Sequence, residues 1–255
     1  MATTNNSFHG PLGNFSFYKL GEKNFVRTKG GASKKTIQNS PSCVRIVQSN
    51  VEFGGASQIG ASLRRAIGTK LKYFSDTNMV GNLVGVLKTM IQLGSGEPGQ
   101  RILDIGAHAA LLGGFEFNTH RVLRDCFATD LMISVSEARD GALVQAKFCP
   151  ATNVYAPEGA TSFQILHTLL CVPQYGLHPV TKKYVALDDV ELKATQVSSA
   201  MLFTDLAMPV TLKLPVQLPS AVAKHSTLLC VVGIAFYTGN ELMKGQCGMR
   251  VVRVN

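Results

Sequence analysis

Ile59, Leu63, Ile67 and Leu71 recur at four-residue steps, one apolar stripe down a helix, with Arg64, Arg65, Lys70 and Lys72 on its remaining faces. A second helical pattern follows, in which Met79, Val80, Leu83, Val84, Val86, Leu87, Met90 and Ile91 are apolar nearly all round. That distribution predicts burial on more than one side. Ser75 and Asp76 stand before it as candidate N-caps. Gly94-Ser95-Gly96-Glu97-Pro98-Gly99 ends the helical pair and is the best boundary along the chain.

After that boundary the character changes to strands. The runs RILDIG, LLGGFEFN, LMISVSEA, LVQAKFC, SFQILHTLLCV, KYVALDD, MPVTLKLPVQL, TLLCVVGIAFY and MRVVRVN are separated by Gly, Pro, Asn and Asp, which predicts a sandwich or barrel. Val210, Leu212, Leu214, Val216 and Leu218 alternate strictly, with Lys213 and Gln217 on the opposite face. Pro209, Pro215 and Pro219 mark that strand as an edge. LLCVVGIAF lacks any alternation and suits a central strand.

Ahead of the helices, Phe15, Phe17, Tyr18 and Leu20 precede the turn Gly21-Glu22-Lys23-Asn24, and Phe25-Val26-Arg27 follow it as the second half of a hairpin. A lone hairpin is marginal in water, so this one must lie on another surface. The next stretch, KGGASKKTIQNSP, reads as an exposed arm or loop. The expected fold class is α+β: a basic hairpin-and-helix part over residues 1–97, then an antiparallel β-sandwich, Ig-like or jelly-roll-like, over 98–255.

Charge sharpens this division. Residues 1–72 hold eleven Lys and Arg against Glu22 and Glu52, so the net charge of +9 is confined to them; residues 73–255 hold fourteen charges of each sign. Charged residues make up only 16% of the chain, against roughly 25% in ordinary soluble domains. Such a surface is either covered by partners or by copies of itself, or is rich in uncharged polar residues.

The N-terminus, MATTNNSFHGPLGNFSF, has neither the basic nor the apolar region of a secretory signal. No apolar run approaches the ~20 residues of a membrane span. A protein that is soluble and cytoplasmic at synthesis is expected, with a place in a particle or surface assembly open after export or lysis.

Candidate chemistry is sparse. The six cysteines (43, 126, 149, 171, 230 and 247) form no CxxC and have no His at ligand spacing, so buried free thiols are expected; a bridge from Cys171 to Cys230 joining two sheets is the alternative. Pro98-Gly99-Gln100-Arg101-Ile102-Leu103-Asp104-Ile105-Gly106 resembles the first strand and loop of S-adenosylmethionine-dependent methyltransferases. The glycines expected next are replaced by Ala107, His108 and Ala109, and no strand–helix alternation follows. None of the histidines lies in a nucleophile motif; His167 reads as a strand residue and His120 as loop. Asp188-Asp189-Val190-Glu191 reads as a strand end or turn. Neither catalytic, cofactor-binding nor metal-binding residues are assigned.

The basic segment carries more. Lys29, Lys34 and Lys35, with Arg64 and Arg65, could contact phosphates or an acidic partner. Phe15, Phe17, Tyr18 and Phe25 could stack bases, or, with Val26, seat the hairpin on a neighbouring subunit. Glu52-Phe53-Gly54-Gly55-Ala56-Ser57 reads as a close-packed helix start rather than a phosphate loop, because the GxxxxGK[ST] spacing is missing.

Three segments, the hairpin with RTKGGASK, EFGGASQIGASLRRA, and LLGGFEFN with APEGATSFQI, together resemble an uncharacterised family of bacterial proteins of Bacteroidota type. The resemblance implies a basic hairpin and helices joined to a β-sandwich, and it implies no activity. The function expected is that of a non-enzymatic, self-assembling structural protein without cofactors, a subunit of a filament, tube, shell or phage-like particle whose N-terminal arm contacts copies of itself. The alternative is a nucleic-acid-binding protein using residues 19–72, and a third reading is a ligand-binding sandwich.

Overall fold

The computed structural model describes residues 2–3, 9–187, 191–219, 222 and 225–255, which form two compact units, 1–47 and 48–255. The first unit holds strands β1 (Ala2–Thr3), β2 (Gly10–Leu12), β3 (Phe15–Leu20) and β4 (Lys23–Thr28) in one antiparallel sheet of order β1-β4-β3-β2. Gly21 makes the β3–β4 turn with φ +61°, backbone that glycine adopts without a steric penalty. The stretch read as an exposed arm is partly helical. Helix α1 (Lys34–Asn39) starts where the Ser33 hydroxyl accepts from the Thr36 amide, and a short 3-10 turn covers Pro41–Cys43.

Helix α2 (Val44–Ile67) begins in the first unit and carries its apolar stripe, Ile59, Leu63 and Ile67, buried in the second; Leu71, expected to continue that stripe, is buried from a separate 3-10 turn over Thr69–Tyr73 that follows Gly68. Helix α3 (Met79–Leu93) is buried along Met79, Leu83, Val84, Leu87, Met90 and Ile91. Its cap is Asn78, not Ser75 or Asp76. Asp76 instead accepts from the Asn78 amide and from both the amide and hydroxyl of Thr119. Those hydrogen bonds, the Thr119 hydroxyl's first, hold its carboxyl below the usual carboxylate range.

The short helices α4 (Ala109–Leu112) and α5 (Leu123–Cys126) precede strands β5 (Met132–Val135) and β6 (Gly141–Phe148). Helix α6 (Pro150–Asn153) leads to β7 (Ser162–Val172), then β8 (Tyr175–Leu177), β9 (Tyr184–Ala186), β10 (Lys193–Ser198), β11 (Leu202–Phe203) and β12 (Val210–Gln217). β13 (Thr227–Thr238), β14 (Glu241–Leu242) and β15 (Gly248–Val254) complete the chain. All strand pairs are antiparallel. The larger sheet runs β10-β7-β13-β15, with β11 beside β7 and β14 beside β13; the smaller runs β12-β6-β5. β12 is thus the edge strand its prolines indicate, and β13, containing LLCVVGIAF, is central.

The chain is a mixed helix and sheet protein with antiparallel sheets in its C-terminal part. β7 and β13 bury both faces. Toward the helices, Leu166, Leu170, Leu229 and Val231 join the cluster of Ile59, Leu63, Leu83 and Leu87. On the other face, Phe163, Ile165, Val232, Ile234 and Phe236 meet Val144, Phe148, Leu212 and Leu214 from the smaller sheet. Further along the same face, Leu169, Cys171, Leu228 and Cys230 meet Ala142, Val216 and Leu218.

Several sequence expectations are corrected. RILDIG is not a strand and contributes one bridge, Leu103 to Tyr175. Because that bridge is antiparallel, the methyltransferase-like parallel strand is also excluded. LLGGFEFN begins in α4 and then runs along β15. The Gly114 and Phe117 amides donate to Val251 and Met249, and the Val251 amide donates to Phe115, so this segment covers the β15 edge. β8 and β10 were not expected. Cys171 and Cys230 lie on neighbouring strands of one sheet, not two, and both are free thiols. Asp188, Asp189 and Val190 lie outside the described residues. The compact units divide at Val47/Gln48, and the Gly94–Gly99 segment, where the sequence changes character, lies inside the second.

What pins the helices is the segment EFGGASQIG. Glu52, buried in α2, accepts from the Gly99 amide at 2.8 Å and from Arg101 Nη1 at 3.2 Å. The Tyr184 hydroxyl donates to the Arg101 carbonyl at 2.8 Å, and the Gln58 side chain donates to the Tyr184 carbonyl at 2.9 Å. Burial first, then the charge of Glu52, pushes the Tyr184 phenol up to about 12, so it stays a donor at neutral pH. The Tyr184 ring lies directly on Gly55, where any Cβ would fall inside it. Gly55→Ala is therefore expected to destabilise the fold by about 1–3 kcal/mol, read as a lower urea midpoint. An unchanged midpoint would show that α2 does not depend on this contact. Glu52→Ala, which leaves Arg101 without its counter-charge, is expected to cost about 3 kcal/mol in the same measurement.

Candidate assembly surface

Strand alternation divides the side chains of the N-terminal sheet between two faces. Phe17 pairs with Val26 and Phe15 with Thr28 on one face; Tyr18 pairs with Phe25 on the other. The five apolar residues singled out in the sequence therefore do not form one platform. Phe15, Phe17 and Val26 share a side, while Tyr18 and Phe25 stack 5.6 Å apart on the opposite one, with the Arg27 guanidinium 5.7 Å from the Tyr18 ring. No residue from 9 to 42 is buried. Leu12, Phe15 and Leu20 are openly exposed, Leu20 to 69%. The sheet has backbone pairing on four strands, and its described residues from 9 to 28 bury no apolar side chain.

The basic residues are also dispersed. Lys29 donates to the Gly13 carbonyl at 2.8 Å, closing the β2–β3 turn. Lys34 and Lys35 open α1, where the positive end of the helix dipole disfavours cations, so their charge is not placed there to stabilise the helix. Arg64 and Arg65 belong to the second unit, and Arg65 engages the Ser62 hydroxyl and the Ala61 carbonyl one turn back. Residues 1–47 carry seven Lys and Arg against Glu22 alone.

In the second unit, polar groups at depth hold the backbone. Asp104 accepts from the Ala107 amide and the Gln174 side chain. Asn118 donates toward the Gly245 and Cys247 carbonyls and accepts from the His120 and Arg121 amides. Arg139 and Arg253 line a shallow hollow beside β5, but their guanidiniums are engaged with the Ser226 and Ile133 carbonyls. Among the described residues no group of three or more His, Cys, Asp or Glu is placed to hold a metal ion. No helix among them is long and apolar enough to cross a membrane.

Cys230 and Cys247 are buried, and desolvation pushes both thiols up to about 11; Cys126 shifts the same way. These thiols are packing groups, because too little thiolate forms near neutral pH for ready reaction.

Comparison with known proteins returned no matching family model, curated protein or solved structure. None of these findings bears on the bacterial family that the N-terminal and strand segments resemble.

His167 is the one buried histidine, which its place in a strand-like run alone did not single out. It sits in β7 between Val197 and Val232, and its Nδ1 lies 2.9 Å from the Leu214 carbonyl in β12. A carbonyl only accepts, so Nδ1 carries the proton and donates, linking the two sheets; Nε2 is buried with no partner. Desolvation lowers its pKa, outweighing the opposing effect of the Leu214 bond. Since folding favours the neutral ring, the unfolded chain takes up a proton first as pH falls below the ordinary value of 6.5. The stability present above that value is then lost down to the depressed folded-state pKa. Urea midpoints measured from about pH 7 to about pH 5 should fall in the wild type and fall less steeply in His167→Leu. Parallel slopes would show that His167 does not contribute to acid sensitivity.

Proposed function

We propose that this chain is a non-enzymatic, self-assembling structural protein, a subunit of a filament, tube, shell or phage-like particle, whose N-terminal unit contacts a neighbouring subunit. One observation carries the reading: a four-stranded sheet in which no residue from 9 to 42 is buried. Sheets gain independent stability from an apolar face packed on something, and this one has apolar side chains on both faces with none of residues 9 to 42 buried. A neighbouring copy supplies the cover and makes the ordering of the sheet part of assembly. The low charge content of the chain agrees with a surface that is largely contacted. Assembly follows synthesis in the cytoplasm, with particle or surface location as a later state.

A second reading is supported by the positive balance of residues 1–47 and by Tyr18, Phe25 and Arg27 sharing a face. These groups suit a single-stranded nucleic acid, with phosphates on the lysines and a base on the aromatic pair.

Negative-stain microscopy and size-exclusion light scattering of nuclease-treated full-length protein test the two. Regular particles or a mass that rises with concentration, lost on deleting residues 1–35, are expected for self-assembly. A monomer at every concentration, together with salt-sensitive retention on RNA or DNA that disappears when Lys34, Lys35, Arg64 and Arg65 are neutralised, would overturn it in favour of nucleic-acid binding.

A further inference from the structure

One end of the second unit combines acidic charge with exposed apolar side chains. There β6 and β13 finish and β7 and β12 begin, and the connecting turns are hydrogen-bonded to one another. The Ala128 amide donates to Asn153, the Ala151 amide to Leu206, the Thr204 amide to Thr161, and the Thr238 hydroxyl to Gly159. Across these turns, residues 128–131, 149–161, 199–209 and 238–242, the only charged side chains are Asp130, Glu158, Asp205 and Glu241, all exposed. Among the described residues none of the four takes part in a salt bridge. The nearest bases in sequence, Arg124, Lys147, Lys193, Lys213 and Lys244, lie outside these turns, as do Asp125 and Glu137. The same turns expose Tyr155, Phe203 and Met208, the last two to 65% and 68%.

Isolated exposed apolar residues are ordinary, but four large ones, Met201 together with these three, on turns whose own charged side chains are four carboxylates form a surface suited to a basic, apolar partner. The chain itself contains that partner chemistry. The N-terminal unit carries seven cationic side chains against one carboxylate, and exposes Leu12, Phe15 and Leu20. We infer that this acidic end receives the N-terminal unit of a second copy, so that copies join head to tail. The inference rests on the self-assembly reading and names its receiving surface. Apolar contact covers the N-terminal sheet, and the carboxylates select and orient the basic unit. Since donor and receiver are different patches, each added copy presents a fresh acidic end, and growth continues unless the rotation closes a ring.

Charge exchange in the full-length protein tests this. One variant combines Asp130→Lys, Glu158→Lys, Asp205→Lys and Glu241→Lys; the other combines Lys23→Glu, Arg27→Glu, Lys34→Glu and Lys35→Glu. Circular dichroism checks that each folds, and Glu158→Lys with Asp205→Lys against Lys34→Glu with Lys35→Glu serves if the larger sets do not. Each fourfold variant alone then faces like charge with like, while each reduced variant only weakens the attraction, and the assembly midpoint of a fourfold variant should rise by about tenfold or more in concentration. Mixed one to one, the variants present opposite charges at both contacts, and light scattering should return toward the wild-type mass. If the wild type assembles while either variant assembles equally well, or while the mixture stays dispersed, the acidic end is not the receiver and self-assembly stands without it. If the wild type itself stays monomeric, self-assembly falls and the inference falls with it.

Discussion

β7 and β13 carry apolar side chains on both faces, and the second unit is organised around covering them. Leu166, Leu170, Leu229 and Val231 need a layer on one side; Ile165, Leu169, Val232 and Ile234 need another on the opposite side. The burial of these two strands is worth far more than any single polar contact in the protein, at roughly 25 cal/mol for each Å² removed from water. It recruits the helices α2 and α3 as one layer and β12-β6-β5 as the other. The polar contacts then decide where each layer sits. Glu52 fixes α2 against the Gly94–Gly99 turn, Tyr184 fits the space that Gly55 leaves, and His167 ties β7 to the Leu214 carbonyl of β12. Burial supplies the driving force and a few directional groups supply the geometry.

The same division explains what was legible in the sequence. Strict alternation in VTLKLPVQ revealed a half-buried edge strand, and the unbroken run LLCVVGIAF revealed a central one, because side-chain period and burial are directly coupled in strands. The four-residue stripe of α2 was legible for the same reason. RILDIG misled because an apolar run of strand length is ambiguous when its backbone partners are elsewhere; here Leu103 pairs only with Tyr175. Asp76 looked like a cap and is instead a tether to Thr119, 43 residues on, a distant partner that local pattern does not specify. Likewise, EFGGAS reads as a close-packed helix start, but α2 begins at Val44 and the segment lies in its interior; the close packing is there at Gly55, against the Tyr184 ring, a partner visible only in three dimensions. Of the candidate site, the positive charge was legible and its distribution was not. Lys34 and Lys35 lie in one compact unit, Arg64 and Arg65 in the other.

The two units stand at opposite ends of the same physical scale. Residues 48–255 bury apolar groups in contiguous clusters, and buried polar side chains such as Asn118 and His167 reach backbone carbonyls. Residues 9–42 bury none, although they hold four of the seven Phe and Tyr rings in the first 73 positions together with paired strands. Cross-strand pairs such as Tyr18–Phe25 contribute a fraction of a kcal/mol to about 1 kcal/mol each. Ordering the backbone costs about 1–2 kcal/mol per residue, so such pairs alone do not offset it. A surface outside the unit is required, and this is the physical content of the assembly reading.

The placement of charge bears on the kind of assembly. With a net charge of +9, copies that approach without regard to orientation repel one another. In the proposed contact the only strongly favourable approach sets the basic N-terminal unit of one copy against the carboxylates Asp130, Glu158, Asp205 and Glu241 of the next, while approach of two N-terminal units is opposed. A two-fold dimer that paired each patch with itself would place like charges together, whereas one in which the two basic units reach reciprocally onto the two acidic ends would not. The heterologous arrangement avoids this at every contact, and its symmetry follows from the angle between donor and receiver. A zero net rotation gives a straight filament, a rotation with translation a tube, and a rotation alone a closed ring.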